Sequence, residues 1–250
     1  MGQDVRPQLG FSVEVMVMLL RRLEESWKAL PNGHLKDDTL GALAYSSLSF
    51  TNALRGNEGF KLDLHGLRSH LFRGRDHPKF PHVVAPLSGR FKGQDGERLH
   101  LLFMVPVTHS GIKTREYLEW LVARRVEQGF FHGPAFCGHD GKEIGSGIYE
   151  VLILEALLEH QDWEVLQGSQ VPKLLEGVDI EERYGIFRSF KRGAITRAQE
   201  AGVGEADVNR VGQWRRIEMA QGRQVGGSMR EHYLELVQML DARLRFSRAL

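Results

Sequence analysis

Arg55, the run Arg188-Ser189-Phe190-Lys191-Arg192, Trp214 and Tyr233 are the residues whose types and order are fit for chemistry. A tyrosine phenol has an ordinary pKa near 10 and is a weak nucleophile at neutral pH. It can attack a phosphodiester when cations bind the non-bridging oxygens and stabilise the charge on the crowded phosphorus. Arginine suits that task, because its planar fork pairs with two oxygens and never loses its proton. A lysine ammonium adds a point charge and can protonate a leaving alkoxide. An indole N–H adds one neutral donor. In chain order, an early arginine, a late basic cluster, an indole and a terminal tyrosine make a phosphate clasp around a nucleophile. That chemistry needs no cofactor and no metal. His77, His82, His100, His109, His132 and His139 are scattered without ligand spacing and are read as non-ligands.

Helices must carry most of these groups. Ser12 is a cap for a helix from Val13 to about Leu30, with apolar residues at helical spacing through Val15, Met16, Leu19, Leu20 and Leu23. Pro31-Asn32-Gly33 ends it. A second helix is expected from about Asp37 to Leu54, and a further apolar stripe after Glu58. Val83 to Leu87 and Arg98 to Val105 read as strands around a turn that holds Lys92 and the Asp95-Gly96 step. Helices return over Lys113 to Gln128, Gly147 to Gln161, Ala194 to Ala201, Glu205 to Val211 and Met229 to about Phe246. The expected fold is mainly α with a small antiparallel β-sheet (α+β), one domain over residues 1–250. Gly222 to Gly227 is the most flexible-looking late segment and does not divide it.

Composition narrows the setting. The net charge of +1 signals no polyanionic partner for the whole chain, yet from Arg183 onward thirteen Lys and Arg stand against seven acids. The bland reading of any one of them is a solvated helical surface. Cys137 is the single cysteine, which excludes an internal disulfide and a Cys-based zinc cluster and makes an intracellular compartment the default. No apolar run approaches the roughly 18 to 20 residues that span a bilayer. The apolar start at Val13 continues through Arg21-Arg22-Leu23-Glu24-Glu25 as an amphipathic helix, so no signal-peptide core is read and no membrane partner is expected.

With these residues in hand, the chain resembles the catalytic domain of the tyrosine recombinases, the phage-integrase family, over nearly its whole length. Thr51-Asn52-Ala53-Leu54-Arg55-Gly56-Asn57-Glu58 is similar to the family's first box, a small residue, Leu-Arg, two variable positions and an acid. The resemblance implies that Arg55 makes the first phosphate contact and that Glu58 orients it. The hairpin around Lys92 is similar to the one that delivers the family's catalytic lysine, which makes Lys92 the candidate general acid; a solvated turn lysine is the other reading. Gly212-Gln213-Trp214 resembles the third box, with Trp214, or Gln213 as the alternative, donating to the phosphate. Met229-Arg230-Glu231-His232-Tyr233 is similar to the nucleophile helix, and makes Tyr233 the candidate nucleophile.

The second box departs from the family. Relatives read His-Ser-Phe-Arg-Arg-Gly before a small-residue helix that ends in Ala-Gly-Val, and here Glu200-Ala201-Gly202-Val203 matches the end. Counting back from Gly202 puts Arg188 in the histidine position and Lys191 in that of the arginine. A one-residue shift makes Arg192 the catalytic arginine, with Ser189 where histidine stands. Either way the histidine is absent, and in the first register a two-pronged guanidinium becomes a one-point ammonium. The gap before Tyr233 is also nearly twice the usual one, filled by the glycine-rich residues 215–227.

The resemblance implies DNA strand cleavage and rejoining through a 3′-phosphotyrosine link, on double-stranded DNA, with four protomers assembled on two sites. It also implies that the helix from Glu235 to Phe246 packs on a neighbour, and it places the protein with DNA, in a nucleus or a nucleoid according to host. The altered second box leaves open a weakened or inactive DNA-binding descendant of a mobile-element recombinase. A helical interaction domain without DNA is a third reading. No separate N-terminal DNA-clamping domain is read ahead of Arg55.

Overall fold

Helix α1 (Val13–Ala29) starts where its cap demands: the Ser12 hydroxyl accepts from the Val15 N–H at 3.2 Å. The computed structural model describes residues 8–71, 81–89, 98–211 and 229–250, with the side chains of all but 98–99 and 229–237. One turn of loop leads to α2 (His34–Thr51), in which every residue from Thr39 to Thr51 is buried. A helix enclosed on all sides needs small residues where neighbours approach. Gly41, Ala42, Ala44, Ser46, Ser47 and Ser49 supply them, and α1, α4 (Thr114–Glu127), α5 (Ser146–Gln167) and α7 (Ile186–Glu200) all pack on α2.

A 3₁₀ turn (Gly59–Lys61) and α3 (Leu64–His70) follow, then the antiparallel pair β1 (Val83–Gly89) and β2 (Arg98–Met104), in register from Val83 opposite Met104 to Gly89 opposite Arg98. The chain is mainly helical with this one two-stranded sheet among the described residues, as the sequence pattern predicts. Residues 90–97 between the strands, with Lys92, and the segment Gly222 to Gly227 lie outside the described residues.

Differences from the sequence reading fall at element ends and in one short added helix. Helix α7 begins at Ile186, two turns before Ala194, because Ile186, Phe190, Ala194 and Ala198 form a buried stripe at four-residue spacing. The whole basic run is therefore helical. Helix α5 continues past Gln161 to Gln167, and a short α6 (Ile180–Arg183) is capped by Asp179, whose carboxylate accepts from the Glu182 N–H at 3.0 Å. Helix α8 (Glu205–Val211) lies where the pattern puts it, and α9 spans Met229–Ala249. The last turns of α9 pack against their own chain. Ala242, Leu244, Phe246 and Leu250 are buried there, the Ser247 hydroxyl accepts from the Val105 N–H at 3.0 Å, and Arg245 pairs with Asp207 of α8 at 2.8 Å.

One segment fixes α7 in place. Residues Gln8 to Phe11 form a strap across it: the Phe11 N–H donates to the Ser189 carbonyl at 3.0 Å, and the Ser189 hydroxyl to the Leu9 carbonyl at 2.6 Å. The strap passes so close that a Cβ on Gly193 would meet the Phe11 carbonyl oxygen at 1.8 Å. Gly193→Ala is therefore expected to lower stability by about 2 kcal/mol, the scale of overpacking in a filled interior. Thr196→Ala, on the exposed face of the same helix, is expected to stay within about 0.5 kcal/mol of the parent. Denaturant midpoints of the two variants check the pair.

Candidate functional site: cations around a buried carboxylate

The end of α2 aims Arg55. The Leu54 N–H reaches back to the Ser49 carbonyl at 2.9 Å and the Ala53 N–H to that of Phe50 at 3.1 Å, the paired bonds that close a helix through a left-handed residue. That residue is Ala53, at φ 48°, where glycine is usual and a Cβ carries a steric cost. The turn sends Leu54 into the core and leaves the Arg55 side chain about a third exposed.

Glu58 then holds Arg55 at two points. One carboxylate oxygen accepts from the Arg55 N–H at 2.8 Å, and the other faces its Nη1 at 3.4 Å. The carboxylate is buried, with 3% of the side chain exposed. The loop is also pinned from below: the Tyr45 hydroxyl donates to the Gly56 carbonyl. Burial pushes the Tyr45 phenol above its ordinary value, so it stays a donor at any working pH. Its ring packs 4.6 Å from Phe60 and 5.4 Å from Phe187 of α7. A Cβ on Gly56 would meet that of Phe187 at 2.8 Å, so the loop lies directly on α7.

Lys191 stands one turn after Phe187 and so shares its face of α7. It is half-buried. Burial first, then the positive charge of Arg55, hold its ammonium down at about 8; Glu58 favours the charged form and Arg243 opposes it. Arg192 and Ser189 point the other way. Arg192 donates to the Gln8 carbonyl at 2.7 Å, and Ser189 bonds the same strap. Arg188 is exposed between the two faces. Of the two registers the sequence allows, the structure brings Lys191 to Arg55 and commits Arg192 to the strap. Lys92, Gln213 and Trp214 lie outside the described residues. Tyr233 is in the second turn of α9, with its side chain outside the described set.

The residue that sequence reasoning missed is Arg243, nearly three turns after Tyr233 on α9. It is 4% exposed, and burial, opposed by the Glu58 charge, lowers its guanidinium to about 10. Among the described residues its Nε and Nη1 have no hydrogen-bond partner. In sequence it sits beside Arg245 and Arg248, both exposed, and nothing in the pattern separates the buried arginine from the solvated ones. Arg55, Lys191 and Arg243 thus share the field of one buried carboxylate, so the cluster stays net positive near neutral pH whether or not Lys191 is protonated. Such a site attracts an anion and can hand over or accept a proton near neutral pH.

A cleft of about 460 Å³ opens beside the loop, bounded by Gly56, Phe60 and Phe187 on one side and Glu143 to Ser146 on the other. A larger apolar groove of about 630 Å³ between α1 and α5, with His160 and Trp163, shares none of its lining with the cationic residues. Among the described residues no group of three or more His, Cys, Asp or Glu side chains is placed to hold a metal ion, and no helix is long and apolar enough to cross a membrane. Cys137 is buried, and burial pushes its thiol up. Comparison with protein-family models, curated proteins and solved structures finds no match to this chain.

Two outcomes are expected. Glu58→Gln strips the shared counter-charge from the cluster and is expected to cost about 3 kcal/mol, the scale of breaking a buried ion pair from one side, read from chemical unfolding. Lys191 has a folded-state pKa of about 8 against an ordinary 10.5, so between these values the unfolded chain binds more protons and stability rises with pH. Lys191→Met is therefore expected to be more stable than the parent at pH 7.5, with the gap narrowing as pH rises to about 10; unfolding midpoints at both pH values measure it.

Proposed function

We propose that this chain breaks and rejoins DNA strands by tyrosine-recombinase chemistry. The observation that carries the reading is the convergence of Arg55 and Lys191, from distant parts of the sequence, on the same buried carboxylate. In this scheme the Tyr233 phenol gives its proton to solvent as its oxygen attacks the phosphorus, and the bond from phosphorus to the 5′ oxygen breaks. Arg55 and Lys191 hold the non-bridging oxygens, with Trp214 or Gln213 as a further donor. Lys92 gives its proton to the departing 5′ oxygen, which leaves a 3′-phosphotyrosine and a free 5′ hydroxyl. Rejoining runs the same steps backward, so no cofactor is consumed. A homo-oligomer on double-stranded DNA, a tetramer by the family resemblance, belongs to the same proposal.

One observation favours a second reading, a DNA-binding protein without chemistry. The basic side chain that faces Arg55 is a one-point lysine rather than a guanidinium, and its low pKa leaves part of it uncharged in mildly alkaline solution. A nicked duplex that traps the covalent intermediate separates the two. The parent is expected to form a protein–DNA adduct, Tyr233→Phe none, and Arg55→Ala one formed about a hundredfold more slowly. Salt-dependent duplex binding with no adduct from the parent decides for the second reading.

A further inference from the structure

Arg243 is a buried cation two of whose nitrogens find no hydrogen-bond acceptor among the described residues. Its Nε and Nη1 are both enclosed and, among the described residues, both lack a partner, in a residue only 4% exposed. Buried donors of this kind are rare in native structures, because an unpaired polar group in a low dielectric loses its hydration and gains nothing in return. The carboxylate whose charge reaches it is already committed: both Glu58 oxygens face Arg55, one at its N–H and one at its Nη1. Among the described residues Glu58 is also the acid whose charge reaches Arg243 and Lys191. Three cations therefore share one carboxylate, and the least hydrated of them has two N–H groups unused.

We propose that Arg243 is an anion-binding residue of this site, and that its Nε and Nη1 donate to an oxyanion of a phosphate group held between α7 and α9. The proposal takes the identity of the anion from the phosphate-clasp reading and adds to it a residue that the sequence boxes do not contain. A guanidinium that presents Nε and one Nη along an edge matches two oxygens of a phosphate. Its position explains why α9 buries a charge it could have left in water. A bound phosphate would supply the counter-charge that Glu58 alone does not. Lys191, whose charged form Arg243 now opposes, would then be held in that form.

Anion binding and structural support predict opposite results for the same variant. With no anion present, Arg243→Met removes an unpaired buried charge and keeps the side-chain volume, so the full chain is expected to melt at a higher temperature than the parent. A purely structural guanidinium would make that variant melt lower. In inorganic phosphate, against chloride at equal ionic strength, the parent is expected to gain melting temperature. Arg243→Met should bind phosphate at least ~10-fold more weakly, as expected for losing a hydrogen bond between charged groups. Arg243→Lys, which keeps the charge but not the fork, is expected to fall between the two, and it carries the test if the methionine variant does not fold. No phosphate response in the parent, or a parental response in either variant, overturns the proposal. The trapped-adduct assay keeps the two readings apart. A phosphate response that depends on Arg243 without an adduct retains this inference and removes strand cleavage; an adduct without a phosphate response does the reverse.

Discussion

A carboxylate kept out of water is the constraint on which the candidate site depends. Burying Glu58 as an anion would be unfavourable by several kcal/mol if nothing met it. The Arg55 N–H and guanidinium meet it directly, and the charges of Lys191 and Arg243 add to its stabilisation. The dependence is mutual, since each cation is tolerated at its depth because Glu58 is there. A short loop after α2, a face of α7 and a late turn of α9 are drawn to one point, although they are widely separated along the chain.

Packing decides which side chains reach that point. Tyr45, at the centre of the enclosed helix α2, touches Phe60, Phe136, Tyr149, Phe187 and Phe190, and its hydroxyl anchors the Arg55 loop. These rings set the rotation of α7, and the strap on its far side locks it. A helix so held has one inward phase. Lys191 follows Phe187 on that phase, whereas Ser189 and Arg192 belong to the strap. The choice between lysine and arginine is thus made by aromatic and backbone packing, not by the electrostatics of the basic residues themselves.

Much of the fold was legible because apolar spacing and caps act locally. Ser12 and the stripe from Val15 to Leu23 define α1, and the apolar runs Val83 to Leu87 and Arg98 to Val105 define the antiparallel pair. Arg55 and Glu58 were legible for the same reason, since their interaction closes within one turn of chain. The start of α7 was not, because Arg188, Lys191 and Arg192 mask the stripe of Ile186, Phe190, Ala194 and Ala198. Arg243 was not legible at all. Whether an arginine on an amphipathic helix is solvated or buried depends on what lies opposite, and the acid that answers Arg243 is Glu58, far away in the sequence.

The strap also sets a clock. The Ser189 hydroxyl and the Leu9 carbonyl it bonds are 180 residues apart in sequence. Such a contact forms late, because nearly the whole chain must be present before its loop can close. At typical rates of synthesis the strap waits about 10 to 40 s for α7 to be made. During that interval Arg55 and Glu58 can already pair within their own loop, but Lys191 has no fixed face and Arg243 does not yet exist. The cationic cluster is a property of the finished chain, and a nascent protein still on the ribosome carries only its first arm.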